Sequence, residues 1–302
     1  MYNGILNVYK EAGFTSHDVV AKLRGILKQK KIGHTGTLDP DAVGVLPVCL
    51  GSGTKLCDML TDTGKEYRAV LLLGKETDTQ DSSGKLLKEW EVKVSEKEAA
   101  EAAMSFLGDY EQMPPMYSAI KINGKKLYQL AREGKEIERK PRKVRIHFLE
   151  IESMALPRIT IRVGCSKGTY IRTLCHDIGR KLGCGGIMES LERTKAGGFS
   201  AEDALTLADI EKLREEGRLE EKIVPVDAMF AGYEPVTVEI QFQKLIDNGN
   251  AFYPNMIKES KKWISEENVR VYNEEGRFYG IYKFCREEGR FRPVKMFMEN
   301  GQ

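Results

Sequence analysis

Residues 33–51 read GHTGTLDPDAVGVLPVCLG, and this stretch decides how the centre of the chain folds. Its glycines and prolines interrupt any regular helix or strand, so we predict a long loop over residues 33–47. Asp39 lies in that loop directly before Pro40, which restricts the backbone of Asp39 to extended conformations. Long loops in compact domains are often functional, which makes Asp39 a candidate catalytic residue; an ordinary Asp-Pro turn is the alternative.

Patterns of apolar residues predict helices and strands on both sides of this loop. Thr15 or Ser16 is placed to cap a helix in which Val19, Leu23 and Leu27 share one face. The same patterns predict further helices at 95–106, 125–134, 169–182 and 207–216, and strands at 66–74, 144–148 and 159–163. We expect an α+β architecture, with a mixed, largely antiparallel central sheet flanked by helices and the Asp39 loop crossing a central cleft.

The chain changes character after about residue 231. Short strand-like segments, such as VTVEI at 236–240 and PVKMFM at 293–298, replace the longer helices. Segments of this kind, joined by turns, are typical of small β domains. The sequence therefore predicts two domains: a larger one over residues 1–230, which carries Asp39, and a small β domain over residues 231–302.

The composition is that of an ordinary soluble folded protein. Of the 302 residues, 41% are hydrophobic and 30% are charged, which does not fit a disordered chain. No stretch approaches the ~20 apolar residues of a membrane span, and the first residues lack the apolar core of a signal peptide. We expect a cytoplasmic protein that does not bind membranes.

The six cysteines stand at irregular spacings without a C-x-x-C motif, which indicates reduced thiols rather than a disulfide framework or a zinc ribbon. A metal cluster built from Cys165, Cys175, His176 and Cys184 is the weaker interpretation. Cys175 and His176 are adjacent on a predicted helix, so their side chains point in different directions. We therefore predict no metal site.

Positive charge is concentrated in two segments, although the net charge of the chain is only +2. The first segment, residues 22–31, and the second, residues 139–145, contain no acidic residue, whereas acidic residues cluster at 211–221. Such a distribution suits a protein with one phosphate-binding face; a solvated basic surface without a ligand is the alternative. The candidate phosphate-binding residues are Lys28, Lys30, Lys31, Arg142 and Lys143.

Several blocks of the sequence resemble the TruB family of tRNA pseudouridine-55 synthases. The first is the stretch at 33–51, preceded by YKEAGFTSHDVVAKLR at 9–24. The others are KEYRA at 65–69, PPMYSAIKINGKKLYQLAREG at 114–134 and CSKGTYIRTLCHDIG at 165–179. Blocks in family order over roughly 200 residues are far more specific than any single motif. The resemblance implies a pseudouridine synthase fold, and the C-terminal segment resembles a PUA-like RNA-binding module.

The resemblance also implies roles for three residues of a catalytic set. Asp39 corresponds to the essential aspartate, Tyr67 to the tyrosine that stacks on the target base, and Arg172 to the arginine that pairs with the aspartate. Taken without the resemblance, Tyr67 fits a buried strand aromatic and Arg172 fits a surface arginine of a helix. We weigh the implied roles above these alternatives because the blocks occur together.

Three further residues take roles near the pocket from the same resemblance. His34 corresponds to the loop histidine that fills the space left by the extruded nucleotide. Lys10 and Leu191 correspond to the lysine and the apolar residue beside the pocket. The chain departs from the family at Glu11, where a proline is usual, and at Glu192, where a basic residue is more common.

The implied reaction needs few chemical groups. Exchanging the C1′–N1 bond for a C1′–C5 bond changes no oxidation state and adds no atom, so we expect neither a cofactor nor a metal. A carboxylate can attack C1′, attack C6 or abstract a sugar proton, and the sequence leaves all three routes open. We expect Arg172 to hold the pKa of Asp39 below the ~3.9 of a free aspartate.

The implied substrate is a uridine in the T arm of tRNA. An enzyme reaches such a base only after unstacking it, at a cost of a few kcal/mol that phosphate contacts would offset. We expect a monomer that needs no protein partner. A guide-RNA-dependent pseudouridine synthase and a tRNA-folding chaperone with little catalysis are the two alternative functions.

Overall fold

The structure is a computed structural model, and it describes residues 1–61, 64–122 and 124–298. Seven α-helices lie within these ranges: α1 Ser16–Leu27, α2 Cys57–Thr61, α3 Glu96–Met104, α4 Leu127–Arg132, α5 Ile171–Lys181, α6 Leu207–Glu215 and α7 Gln243–Asp247. In the described ranges, no helix is both long enough and apolar enough to cross a membrane.

The strands of the described residues are given in chain order, first those before residue 139 and then those after it. The first group is β1 Gly4–Lys10, β2 Ile32–His34, β3 Val43–Leu50, β4 Lys65–Leu73, β5 Lys75–Thr77, β6 Leu86–Glu89, β7 Gly108–Gln112, β8 Lys121–Ile122 and β9 Lys125–Lys126. The second group is β10 Arg142–Ala155, β11 Arg158–Cys165, β12 Gly186–Ala196, β13 Phe199–Ser200, β14 Ile223–Val224, β15 Glu234–Thr237, β16 Asn268–Tyr272, β17 Phe278–Cys285 and β18 Arg290–Met296.

Ten of these strands form the central sheet. Its order is β14-β1-β3-β12-β4-β11-β10-β7, with β2 also pairing with β3 and β13 also pairing with β12. Every pair in this sheet is antiparallel except β3 with β12, which run parallel. The predicted α+β class with a mixed, largely antiparallel central sheet is confirmed.

The parallel junction between β3 and β12 is short and needs a glycine. Its register pairs are Val43 with Glu192 and Gly44 with Arg193. Gly44 has φ of 105°, and a Cβ atom there would lie 2.3 Å from the carbonyl oxygen of Arg193. Only glycine tolerates this combination of backbone angle and close approach, so the two halves of the sheet meet at Gly44.

Each half of the central sheet has its own hydrophobic core. Helices α1 and α6 pack with β1 and β3 around residues such as Leu6, Leu23 and Leu46. Helices α3 and α5 pack with β4, β11 and β12 around residues such as Leu71 and Leu174. The loop between β2 and β3 contributes Leu38 to the second core, and so spans the junction between the halves.

The helix starts follow from local sequence. Thr15 caps α1 in a capping box with Asp18, and Thr206 caps α6 in the same way with Asp209. Each box satisfies backbone N–H groups that the first helical turn leaves unpaired. These caps fix where α1 begins, and therefore where its first turn meets the Asp39 loop.

The C-terminal strands form a separate sheet in the order β15-β16-β17-β18. Its core contains Phe252, Trp263, Phe284 and Phe291, which pack against one another. Lys55 Nζ, in the first part of the chain, donates to the carbonyl oxygens of residues 296 and 298 at 3.0 and 2.8 Å. A C-terminal β unit is therefore present; residues 299–302 of the predicted domain 231–302 lie outside the described ranges.

The prediction of an uninterrupted loop over residues 33–47 was wrong at both ends. β2 extends to His34 and β3 begins at Val43, which leaves only residues 35–42 outside the sheet. Pro47 fits within β3 because its carbonyl oxygen accepts from Thr35 N at 3.1 Å, beyond the last β2–β3 pair. Because the β2–β3 pairing ends at His34 and Val48, the missing N–H of Pro47 removes no hydrogen bond between these two strands.

Candidate active site

The first turn of α1 and the end of β1 hold the loop that carries Asp39. Ser16 Oγ accepts from the backbone N–H of Leu38 at 2.9 Å, and Gly13 N donates to the carbonyl oxygen of Pro40 at 3.0 Å. Inside the loop, Ala42 N donates to the carbonyl oxygen of Asp39 at 3.1 Å. These bonds fix the backbone on both sides of Asp39.

Lys10 supports the same loop from below. Its side chain is fully buried, and Nζ donates to the carbonyl oxygens of Glu11, Pro40 and Ala42 at 3.0, 2.9 and 2.6 Å. These three bonds use the three N–H groups of the ammonium. Lys10 therefore lies beside the Asp39 loop, and its ammonium is engaged by backbone carbonyls.

Arg172 lies between two carboxylates. Its Nη1 atom is 3.3 Å from Asp39 Oδ2 and 3.5 Å from Asp81 Oδ2, and its Nη2 donates to the carbonyl oxygen of Tyr117 at 2.6 Å. Only 7% of the Arg172 side chain is exposed, against 39% of the Asp39 side chain. Asp39 is thus the one member of this cluster that presents a large part of its side chain to a ligand.

Asp81 was not predicted as a site residue, and the structure shows what orients it. Its Oδ1 accepts from Thr79 Oγ1 at 2.7 Å, from Ser83 Oγ at 2.6 Å and from Ser83 N at 3.0 Å. These three donors leave Oδ2 to face Arg172. The only signal in the sequence is the polar stretch ETDTQDSSG, which fits an ordinary turn equally well.

Burial raises the pKa of the Asp39 carboxyl above its ordinary value. Attraction to Arg172 and Lys10 acts in the opposite direction, while repulsion from Asp81 acts with burial. The expectation that Arg172 would hold the pKa of Asp39 below its ordinary value was wrong, because burial outweighs the lowering effect of Arg172 and repulsion from Asp81 adds to burial. A carboxylate with a raised pKa is the stronger base and nucleophile.

Tyr67 lies beneath the loop in β4. It is buried, it belongs to the same core cluster as Leu38, and the nearby charge of Asp39 helps to raise the pKa of its phenol, although burial is the largest cause. Tyr67 is paired in register with Arg193 of β12, whose positive charge acts to lower the pKa of the phenol. The structure therefore brings Tyr67, Asp39 and Arg172 to one place.

His34 ends β2 immediately before the loop. Burial is the main cause that lowers the pKa of His34, and the positive charges of His17 and Arg193 add to it. Its ring meets that of His17 edge to face, with centroids 5.4 Å apart. The Nδ1 atom is buried and has no hydrogen-bond partner among the described residues, so it remains able to form a hydrogen bond.

Leu191 lies in β12, a strand that was not predicted. It pairs with Ala69 of β4 and packs, half-buried, against the cluster that contains Leu38 and Tyr67. Leu191 therefore packs against the cluster to which the loop contributes Leu38.

The lysines of the first basic segment follow α1. Lys28 caps the helix in the left-handed conformation, and Lys30 and Lys31 lead into β2. All three are exposed on the turn that precedes His34. Their position places three positive charges on the turn before His34.

The structure separates Arg142 from Lys143, because successive residues of a strand face opposite sides. The guanidinium of Arg142 stacks on the ring of Tyr170 at 4.7 Å, and the same ring faces Arg172 at 5.6 Å. Arg142 Nε and Nη2 are buried without a hydrogen-bond partner in the described ranges. Lys143 is exposed on the other side of β10, so of these two residues Arg142 is the one that shares the Tyr170 ring with Arg172.

The arrangement supplies a carboxylate of raised basicity, a cation in contact with it and a buried aromatic ring. No cluster of three or more potential metal ligands occurs in the ranges that the structure describes. The six cysteines, all within those ranges, are free thiols. The groups present are those required by nucleophilic or proton-transfer chemistry on a ring that Tyr67 can stack against.

Comparison with known proteins connects this geometry to a family. A model described as TruB family pseudouridylate synthase (N terminal domain) matches residues 24–171, and one described as tRNA pseudouridylate synthase B C-terminal domain matches residues 172–231. The second model therefore ends where the predicted small β domain, residues 231–302, begins.

Whole-chain relatives agree with the family models. A protein of Lachnoclostridium phytofermentans named tRNA pseudouridine synthase B is 50% identical, and the match covers 98% of this chain and 100% of that protein. A protein of the same name from Alkaliphilus oremlandii is 48% identical, with 97% of each chain covered.

Solved structures share the fold at lower identity. A chain of a Cbf5-Nop10-Gar1 complex gives a TM-score of 0.71 with 28% identity, covering 98% of this chain and 85% of that one. A chain of an H/ACA RNP bound to a substrate RNA containing 2′-deoxyuridine gives 0.70 with 25% identity and the same coverage. Taken with the two family models and the full-length relatives, these matches show that the chain belongs to the TruB family of pseudouridylate synthases.

Proposed function

We propose that this protein isomerises uridine 55 in the T loop of tRNA to pseudouridine, without a cofactor and with Asp39 as nucleophile. The observation that carries the proposal is the contact of 3.3 Å between Asp39 and Arg172 beside the buried ring of Tyr67. The names of the full-length relatives, tRNA pseudouridine synthase B, supply the substrate class.

The chemistry assigned to each residue follows from its environment. As a nucleophile, Asp39 forms a bond to C1′ or to C6, and the C1′–N1 bond breaks. The uracil turns, C5 bonds to C1′, and the bond to the carboxylate of Asp39 breaks again. C5 then loses a proton and N1 gains one, so the product is an isomer of uridine. Tyr67 offers a ring face on which the detached base rests while it turns. Arg172 fixes the direction of the carboxylate, since a guanidinium binds carboxylates with defined geometry.

Base flipping brings the uridine to Asp39. An RNA-modifying enzyme of this kind extrudes its target base and must offset a few kcal/mol of unstacking. His34, neutral because its pKa is lowered, lies at the loop entrance and fills the vacated stack. Because Lys28, Lys30 and Lys31 are exposed on the turn before it, they supply phosphate contacts.

Arg142 provides a further contact for the backbone of the flipped nucleotide. Two of its buried nitrogen atoms lack acceptors among the described residues, and unsatisfied buried donors are costly. A phosphate oxygen near Tyr170 would satisfy them. Lys143 faces away from this cluster, so its contribution is limited to long-range attraction of the tRNA.

We assign the activity to the protein alone, as a cytoplasmic monomer that needs neither a guide RNA nor a protein partner. The solved neighbours in H/ACA and Cbf5 complexes are at most 28% identical and extend beyond this chain, whereas the relative at 50% identity is covered completely. A chaperone role without catalysis does not account for the Asp39–Arg172 contact.

The test uses purified protein and one unmodified tRNA transcript, with no added RNA or protein. Pseudouridine is mapped by mass labelling, and a transcript with cytidine at position 55 is the control. We expect modification at position 55 only. Modification elsewhere would overturn the assigned position, and no modification of either transcript would overturn the stand-alone activity.

A further inference from the structure

Arg193 is a buried arginine that joins the two halves of the active site. Only 1% of its surface is exposed. Its Nε donates to the carbonyl oxygen of Val45 at 2.7 Å, Nη2 donates to that of Gly36 at 3.3 Å, and Nη1 donates to that of Thr37 at 3.5 Å. The last two carbonyls belong to the loop that carries Asp39, so one guanidinium holds both β3 and this loop.

The same side chain reaches Tyr67 on the neighbouring strand. Arg193 of β12 and Tyr67 of β4 are paired in register, which places their side chains on one face of the sheet. The positive charge of Arg193 acts to lower the pKa of the Tyr67 phenol, although burial outweighs it and raises that pKa.

Arg193 donates to three neutral carbonyl oxygens, so hydrogen bonds rather than an opposite charge compensate its burial. A buried charge is costly unless an opposite charge or several hydrogen bonds compensate it, and apolar side chains often replace buried ions without loss of stability. The contacts instead tie two groups that must face one base: the loop of Asp39 and the phenol of Tyr67.

We propose that Arg193 is a positioning residue for the reaction, which fixes the Asp39 loop relative to the Tyr67 ring so that both contact the same uracil. This inference rests on the proposed function, because it supposes that Asp39 and Tyr67 share a substrate. Its effect falls on the chemical step and not on tRNA binding, since Arg193 is enclosed and cannot contact the RNA backbone.

The experiment compares wild type, Arg193→Lys, Tyr67→Phe and the double variant by single-turnover pseudouridylation and by tRNA affinity. Arg162→Lys, at a partly exposed arginine of β11, which is separated from β12 by β4, is the matched control. Lysine keeps the charge but loses the fork that binds several carbonyls. We expect Arg193→Lys to slow the chemical step about 100-fold while tRNA affinity stays within about threefold.

The double variant separates positioning from general loosening of the fold. Residues that act as a unit have non-additive effects, so we expect the double variant to be much faster than the product of the two single losses predicts. Multiplicative losses, an unchanged rate in Arg193→Lys, or a rate loss matched by lost affinity would each overturn the inference. If Arg193→Lys does not fold, Arg193→Gln replaces it; failure of both to fold would make Arg193 a stability residue and also overturn it.

Failure of this inference is distinguishable from failure of the proposed function. If the wild type modifies no uridine, the proposed function fails before Arg193 is tested. If the wild type is active and the Arg193 variants behave like the control, only the inference fails.

Discussion

The guanidinium of Arg172 lies 3.3 Å from the carboxylate of Asp39 and, through the same Nη1 atom, 3.5 Å from that of Asp81. One cation therefore serves two anions, and its hold on Asp39 is weaker than a private ion pair would be. Burial is the largest cause that raises the pKa of Asp39, repulsion from Asp81 adds to it, and the attraction of Arg172 does not outweigh them. Orientation of Asp39, rather than suppression of its basicity, is the role that the geometry gives to Arg172.

Replacing Arg172 tests that role. Arg172→Lys keeps a positive charge but cannot bind the two carboxylates and the Tyr117 carbonyl together, so we expect turnover to fall about 100-fold with tRNA affinity little changed. The measurement is single-turnover pseudouridine formation. Arg180→Lys, an exposed arginine on the same helix, is the control. Equal rates for the two variants would show that Arg172 does not orient Asp39.

Lys10 is expected to act on stability first. Lys10→Met leaves three loop carbonyls without their donor, so the free energy of unfolding should fall by about 2 kcal/mol or more. Urea unfolding followed by circular dichroism measures this loss. Lys97→Met, at an exposed position of α3, should leave the free energy of unfolding nearly unchanged. If the Lys10→Met variant were as stable as this control, the hydrogen bonds of Lys10 would not stabilise the loop.

The raised pKa of Asp39 makes a prediction with a definite sign. A carboxyl whose pKa is raised on folding stabilises the protein below its ordinary value of 3.8, and this contribution is lost as pH rises through the folded pKa. Asp39→Asn cannot ionise and should therefore be more stable than the wild type at pH 7. The difference should shrink as pH falls toward 3.8. Urea unfolding at several pH values would refute the raised pKa if the wild type were the more stable protein at pH 7.

His34 should remain neutral at pH 7. Burial and nearby positive charges lower its pKa below the ordinary 6.5. An NMR titration of the ring protons, assigned with a His34→Gln variant, should give a midpoint below 6.5. A midpoint above that value would mean that His34 enters the RNA stack as a cation, contrary to the site described above.

Regular periodicity made much of the fold predictable. Helix α1 was predicted because its cap at Thr15 and its apolar face follow simple rules. Strand β12 was missed because charged residues such as Glu192 and Arg193 occupy it and two register shifts break its alternation. One of those charges is buried by tertiary contacts that no local pattern records.

The site was predictable to a lesser depth. The loop chemistry singled out Asp39, but its contact with Arg172 was expected only from the family resemblance. Arg172 lies off the apolar stripe of α5 and is buried because Asp39, Asp81 and Tyr117 converge on it from distant segments. The direction of the Asp39 pKa was predicted wrongly because the second carboxylate and the extent of burial are properties of the folded chain.

Release of the C5 hydrogen from labelled uridine in tRNA shows directly whether Asp39 is the catalytic carboxylate. With Asp39→Asn, we predict no detectable release, while tRNA affinity stays within a few fold of the wild type because the carboxylate serves chemistry and not RNA binding. Substantial release by this variant would remove Asp39 from the role of nucleophile and contradict the account.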